Sequence, residues 1–164
     1  MTTTSLWMAP EFSIDGVEIR VTTRAGGVSQ SPWNSQNLGD HVGDIAEHVT
    51  ENRRRLQNAL PVNRISWLRQ VHGTHSVKAA DDQVPTADAQ WTTDAGRALA
   101  VLTADCLPVV LMARDAGCIG IAHAGWRGLA AGVLESLIVS MPVAPTTLTA
   151  WLGPAISQSA YEVG

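Results

Sequence analysis

A chain of 164 residues is long enough for a domain with a substantial core, and 45% of it is hydrophobic. Eleven Lys and Arg against fifteen Asp and Glu leave a net charge of −4, which offers nucleic acid or an anionic membrane no electrostatic footing as a partner. Two cysteines are too few for a disulfide scaffold. The opening stretch MTTTSLWMAPEFSIDG lacks the basic-then-apolar order of a secretory leader, and no apolar run reaches the roughly 20 residues of a membrane span. A soluble protein in a reducing, cytoplasmic setting is expected.

In chain order, a β-branched segment over 17–23 leads into two turn-rich polar stretches, TRAGGVS at 23–29 and SQNLGDHVGD at 35–44. They concentrate Arg24, Asn37 and His41, side chains able to hydrogen-bond a nucleoside or an oxyanion, with Trp33 as an aromatic surface nearby. A helix is expected to open at Asp44, with Glu47 as capping partner. Ile45, Val49, Leu56 and Leu60 follow at helical spacing, and Pro61 lies beyond the end. Its Arg53-Arg54-Arg55 run, preceded by Glu47 and Glu51, reads as a solvated helix face. Further strands are expected over 65–71, 76–80, 98–103, 108–113, 118–122 and 147–152. A second helix is expected from Arg127 or Gly128 through Leu137 and Ile138 to Pro142, apolar round much of its girth. Many strands, few helices and short connections predict a layered, mixed α/β domain and not a βαβ repeat.

Chemistry concentrates in three motifs where strand-like runs meet small residues: QVHG at 70–73, TADCLP at 103–108 and HAGWRG at 123–128. They carry His72, Cys106 and His123. Spacings of 34 and 17 residues are too wide for a local metal knuckle, so these side chains can meet only through the fold. One thiolate and two imidazoles suit zinc and leave a fourth position open; the same trio also suits a thiol nucleophile with a histidine base. Asp105 is a candidate to support the ligands. Arg127 stands at a strand-to-helix turn, where a forked cation and unpaired N–H groups would seat phosphate, and Trp126 offers a stacking face. Cys118 opens an apolar strand and is assigned to packing.

Taken together in order, TRAGGVS, SQNLGDHVGD, QVHG, ADA, TADCLPVV, HAGWRGLAAGVLE and WLGPAIS…YEVG resemble the bacterial YfiH family, formerly described as a laccase-domain or polyphenol oxidase family. TADCLPV followed by HAGWRG is the most specific part. The resemblance implies a layered α/β sandwich similar to the deamidase domain of cytotoxic necrotizing factor. It implies one zinc on His72, Cys106 and His123, and phosphorolysis of adenosine, inosine, guanosine and methylthioadenosine, with adenosine deamination in the same pocket. Phosphate and ribose contacts would come from Arg127, Arg24, Asn37 and His41. Alternatives carried by the same resemblance are a Cys–His hydrolase of amide or peptidoglycan-precursor substrates and a copper-dependent polyphenol oxidase; a fragment without turnover is the third. Gln36 stands where the family carries an apolar residue. Residues 1–164 are expected to form one YfiH-like α/β domain lacking the family's C-terminal portion.

Overall fold

The computed structural model describes residues 7–8, 16–81 and 83–162. They form two compact units, residues 7–8 with 18–63 and residues 64–162 with 16–17.

In the first unit, β1 (Trp7–Met8) pairs antiparallel with β2 (Val21–Thr22), a far shorter strand than the 17–23 segment expected. A long loop then reaches α1 (Ala46–Ala59), which turns Val49, Asn52 and Leu56 inward. The expected cap is not formed. Ile45 occupies the N-cap position and no side chain caps the helix, because the Asp44 carboxylate is committed elsewhere. One of its oxygens accepts from Ser29 Oγ (2.6 Å) and Asn37 Nδ2 (2.9 Å), and the other from the Ile45 N–H (2.7 Å). Burial pushes the Asp44 carboxyl up, but these hydrogen bonds outweigh it and hold the group below its ordinary value. The Arg53–Arg55 face is also not uniformly solvated. Arg54 and Arg55 pair with Glu51, whereas half-buried Arg53 donates to the Leu38 carbonyl and meets Asp40 at 3.3 Å.

The organising residue of this unit is Asn52, which is fully buried. Its Oδ1 accepts from the Val28 N–H, while Nδ2 donates to Ser29 Oγ and to the carbonyls of Ser35 and Asn37. A helical side chain thereby supplies the loop with partners it has no strand ladder to provide.

The second unit is built on a five-stranded sheet in the order β4 (Ser76–Lys78), β5 (Ala89–Thr92), β8 (Ile119–Ala124), β7 (Leu107–Ala113), β9 (Leu148–Leu152). Only β4 and β5 run parallel. β3 (Arg64–Ser66) and β6 (Arg97–Leu99) make a separate parallel pair. Residues 108–113 are buried without alternation, as in a strand covered on both faces.

On one face Ala89, Ala122, Val109 and Leu111 meet Val133, Leu137 and Met141. Gly120 permits this close approach: a β-carbon there would lie 3.0 Å from Met141 Sδ and 3.1 Å from Leu137. On the other face Gln90, only 1% exposed, donates to the carbonyls of Ser66 and Ala100 and so fastens the β3–β6 pair to the sheet. The layered mixed α/β architecture expected from the sequence is thus present.

The expected second helix is two helices, α2 (Trp126–Ala131) and α3 (Val133–Ser140), separated by Gly132 at φ 99°. That left-handed residue ends α2, its N–H bonding back to Gly128 and Leu129, and lets α3 restart against the sheet. Of the helices in the described residues, none is long and apolar enough to cross a membrane.

Candidate metal centre

The second unit brings the three chemically distinctive motifs to one place. His123 lies near the end of β8, just before the turn into α2. Cys106 immediately precedes β7, and Leu107 pairs with Ala124, so the sheet register alone sets Cys106 beside the β8 terminus. His72 sits in the loop between β3 and β4. Gln70 anchors that loop: its amide donates to the Leu102 carbonyl (2.8 Å) and accepts from the Leu102 N–H (2.7 Å). The segment leading to Cys106 is thereby clamped to the segment leading to His72, across 32 residues of sequence.

The ligand atoms of His72, Cys106 and His123 all lie within 4.8 Å of one another. Tetrahedral zinc with bonds of about 2.0–2.3 Å would hold such atoms roughly 3.3–3.6 Å apart, so a closure of about 1 Å suffices. The two imidazole rings meet edge-on, centroids 4.7 Å apart at 75°. His123 is buried, Cys106 half-buried and His72 exposed, which leaves one side of the group open to a further ligand. Burial pushes the Cys106 thiol up, with Asp105 and then Asp88 adding to the shift. A bound metal would work the other way and favour the thiolate. Donor chemistry and spacing both fit a metal.

Behind the trio stands Asp88, 0% exposed between two fully buried alanines. Its Oδ1 lies 2.9 Å from His123 Nδ1 and accepts from the His72 N–H (2.9 Å); its Oδ2 accepts from the N–H groups of Gly73 (2.7 Å) and Val71 (3.1 Å). Burial pushes this carboxyl up, but the His123 bond and the three backbone bonds outweigh it and hold it below the usual carboxylate range. The sequence reading assigned Asp88 no role, although it quoted the ADA motif. The signal was there: an acid flanked by two alanines needs partners if it is buried with them. Asp105, the expected supporting acid, is exposed and acts on Cys106, not on a histidine.

Two glycines shape the centre. At Gly128 a β-carbon would come within 2.9 Å of the Gly73 carbonyl, so the bare residue lets α2 lie against the His72 loop. At Gly125 it would lie 2.8 Å from Cys106 Sγ and 3.2 Å from the His72 ring. Gly125→Ala is therefore expected to displace two ligands at once and lower metal affinity about tenfold or more. Circular dichroism should stay unchanged, with divalent-metal titration as the readout; wild-type affinity in this variant would refute the contact.

The other expected site residues divide between the units. Arg127, exposed on α2, stacks its guanidinium over the Trp126 ring at 4.5 Å. Arg24, Asn37 and His41 belong to the first unit. Arg24 donates to the carbonyls of Asn34 and Pro32. Asn37 bonds Gly39 and Asp44, and exposed His41 faces Asp40 at 3.5 Å. Trp33 donates to the Val42 carbonyl, closing the same loop. Cys118, 1% exposed, lies in the sheet core as expected.

Fold and site together define a layered α/β protein with a three-residue His–Cys–His centre supported by a buried carboxylate. The chain belongs to the family described as multi-copper polyphenol oxidoreductase laccase, which it matches over residues 18–164, the family that also holds the YfiH proteins. It is similar to the purine nucleoside phosphorylase of Pseudomonas aeruginosa, at 50% identity over 159 residues, covering 96% of this chain and 65% of the relative. The purine nucleoside phosphorylase YfiH of Escherichia coli K12 is 46% identical over 162 residues, with the same coverage. The chain therefore spans about 65% of the length of these curated relatives. Among solved structures, a Neisseria meningitidis protein superposes with a TM-score of 0.93 at 44% identity, covering 98% of this chain and 67% of that one. YlmD of Geobacillus stearothermophilus gives 0.88 at 35%, covering 98% and 66%.

Proposed function

We propose that this chain carries the metal centre of a zinc-dependent purine nucleoside phosphorylase acting on adenosine, inosine, guanosine and methylthioadenosine, with adenosine deamination at the same centre. The observation that carries it is the convergence of His72, Cys106 and His123 with one side open. The names of the relatives support the substrate class. His72, Cys106 and His123 would hold the ion, which when bound supplies a Lewis acid beside the substrate. Arg127 is the first candidate to hold phosphate, being a forked cation four residues after His123. Arg24, Asn37 and His41 are candidates for phosphate or ribose contacts on their side-chain chemistry alone. The setting we propose is cytoplasmic.

A Cys–His hydrolase is the second reading, because Cys106, His123 and Asp88 stand in the order of a thiol, a base and its orienting acid. The raised thiol weighs against it, since nucleophilic cysteines are activated by a lowered pKa. Two imidazoles and a thiolate also suit copper, the metal in the family's description. Incubation with adenosine or inosine, with and without phosphate, separates these. Free base together with ribose 1-phosphate, only when phosphate and zinc are both present, is the expected result. Equal release of base without phosphate would mean hydrolysis and would remove the role given to Arg127. Turnover at full rate after metal removal would favour the thiol.

A further inference from the structure

A carboxylate with no exposure is among the most costly groups to bury, and it persists only where every lone pair is used. Asp88 meets that condition with four donors, and two of them belong to the metal trio: the His123 ring and the His72 main chain. An ionised carboxylate can only accept. The proton in the 2.9 Å contact with His123 must therefore sit on Nδ1, so in the neutral ring it is Nε2 that carries the unshared pair.

His72 is controlled differently. Its φ of 59° is left-handed, a conformation that costs a non-glycine residue energy unless the surroundings impose it. The consecutive N–H groups of Val71, His72 and Gly73 all point at Asp88, forming a concave seat around its two oxygens. The His72 side chain is exposed apart from its edge-on contact with the His123 ring, so its direction rests largely on this held backbone.

We propose that Asp88 is the positioning residue of the centre: through one buried carboxylate it sets both the tautomer of His123 and the left-handed backbone of His72, and so aims two of the three donors. Its bearing on metal rests on the metal reading given above; its hold on the histidines does not, which lets the two be tested apart.

The first measurement uses the unaltered chain, freed of metal. A long-range proton–nitrogen spectrum of the imidazoles is expected to show His123 protonated at Nδ1 and bare at Nε2. A proton on Nε2 instead would overturn the proposal without any variant having to fold. The second measurement is titration with zinc chloride of the wild type, Asp88→Asn and Leu137→Ala. In Asp88→Asn the amide NH2 can donate to Nδ1, so the ring is expected to switch to the Nε2–H tautomer and zinc affinity to fall about 10- to 100-fold. Leu137→Ala opens the fully buried core without removing any of these hydrogen bonds and is expected to lower Tm while changing zinc affinity less than about twofold. Equal loss of affinity in both variants would reduce Asp88 to a structural residue and overturn the assignment. If His123 shows the Nδ1–H form in the wild type and loses it in Asp88→Asn, yet zinc binds neither protein, the metal reading fails while the positioning of the histidines stands.

Discussion

Cys106→Ser is expected to lose bound metal together with activity, whereas Cys118→Ala is expected to keep both. The two thiols differ in what surrounds them. Cys106 sits within 4.8 Å of two histidine ligand atoms, and a metal there would bind its sulfur as thiolate. Serine offers a hydroxyl that is almost never ionised near neutral pH, so the ion loses its one anionic protein ligand and affinity falls steeply. Cys118 faces Ala113, Val133, Leu137 and their neighbours in the sheet core. Its truncation removes one buried sulfur and costs about 1–2 kcal/mol of stability. Elemental analysis of the purified variants is the deciding measurement, because a thiol nucleophile would also lose activity in Cys106→Ser. A Cys106→Ser protein that retains stoichiometric metal, or a folded Cys118→Ala protein that lacks it, would show that the donor set is misassigned.

The largest loss of stability from a single polar side chain is expected at Asn52→Ala. Truncation leaves the Val28 N–H without its acceptor and the Asn37 carbonyl without the Asn52 donor, and it takes one of two partners each from the Ser35 carbonyl and Ser29 Oγ. At about 1–3 kcal/mol for each polar group left buried and unpaired, with some rescued by water, a total of about 3–4 kcal/mol is expected. The loss should be local. Amide exchange should accelerate across residues 28–37 and the start of α1, while β7 and β8 of the other unit keep their protection. A variant as stable as the wild type would mean that the loop is ordered by other contacts. Asn52→Asp discriminates further: it keeps the Val28 acceptor but sets a carboxylate against two carbonyl oxygens, and is expected to be at least as destabilised at neutral pH.

The sequence by itself determined the layered α/β class, the two long core strands and the three motifs that carry reactive side chains. Each depends on local information: an uninterrupted apolar run at 108–113, or a rare residue type among small neighbours. It failed where a residue's partner lay far along the chain. Strand β5 was missed because AQWT is short and opens on Ala and Gln, which do little to signal a strand; it exists because Ala89 packs into the core and Gln90 bonds across to Ser66 and Ala100. Asp44 had the spacing of a helix cap and was drawn instead to Ser29 and Asn37, two stronger claims on one carboxylate. The second helix was read as continuous because its apolar spacing runs through Gly132, whose left-handed turn has no periodicity to betray it. Tertiary structure alone decided that His72, Cys106 and His123 meet, since the register of β7 on β8 and the Gln70 clamp close gaps of 17 and 34 residues. It alone made Asp88 their common support, because hydrogen bonding is short-ranged and a buried charge takes its partners from whatever the fold places within 3 Å.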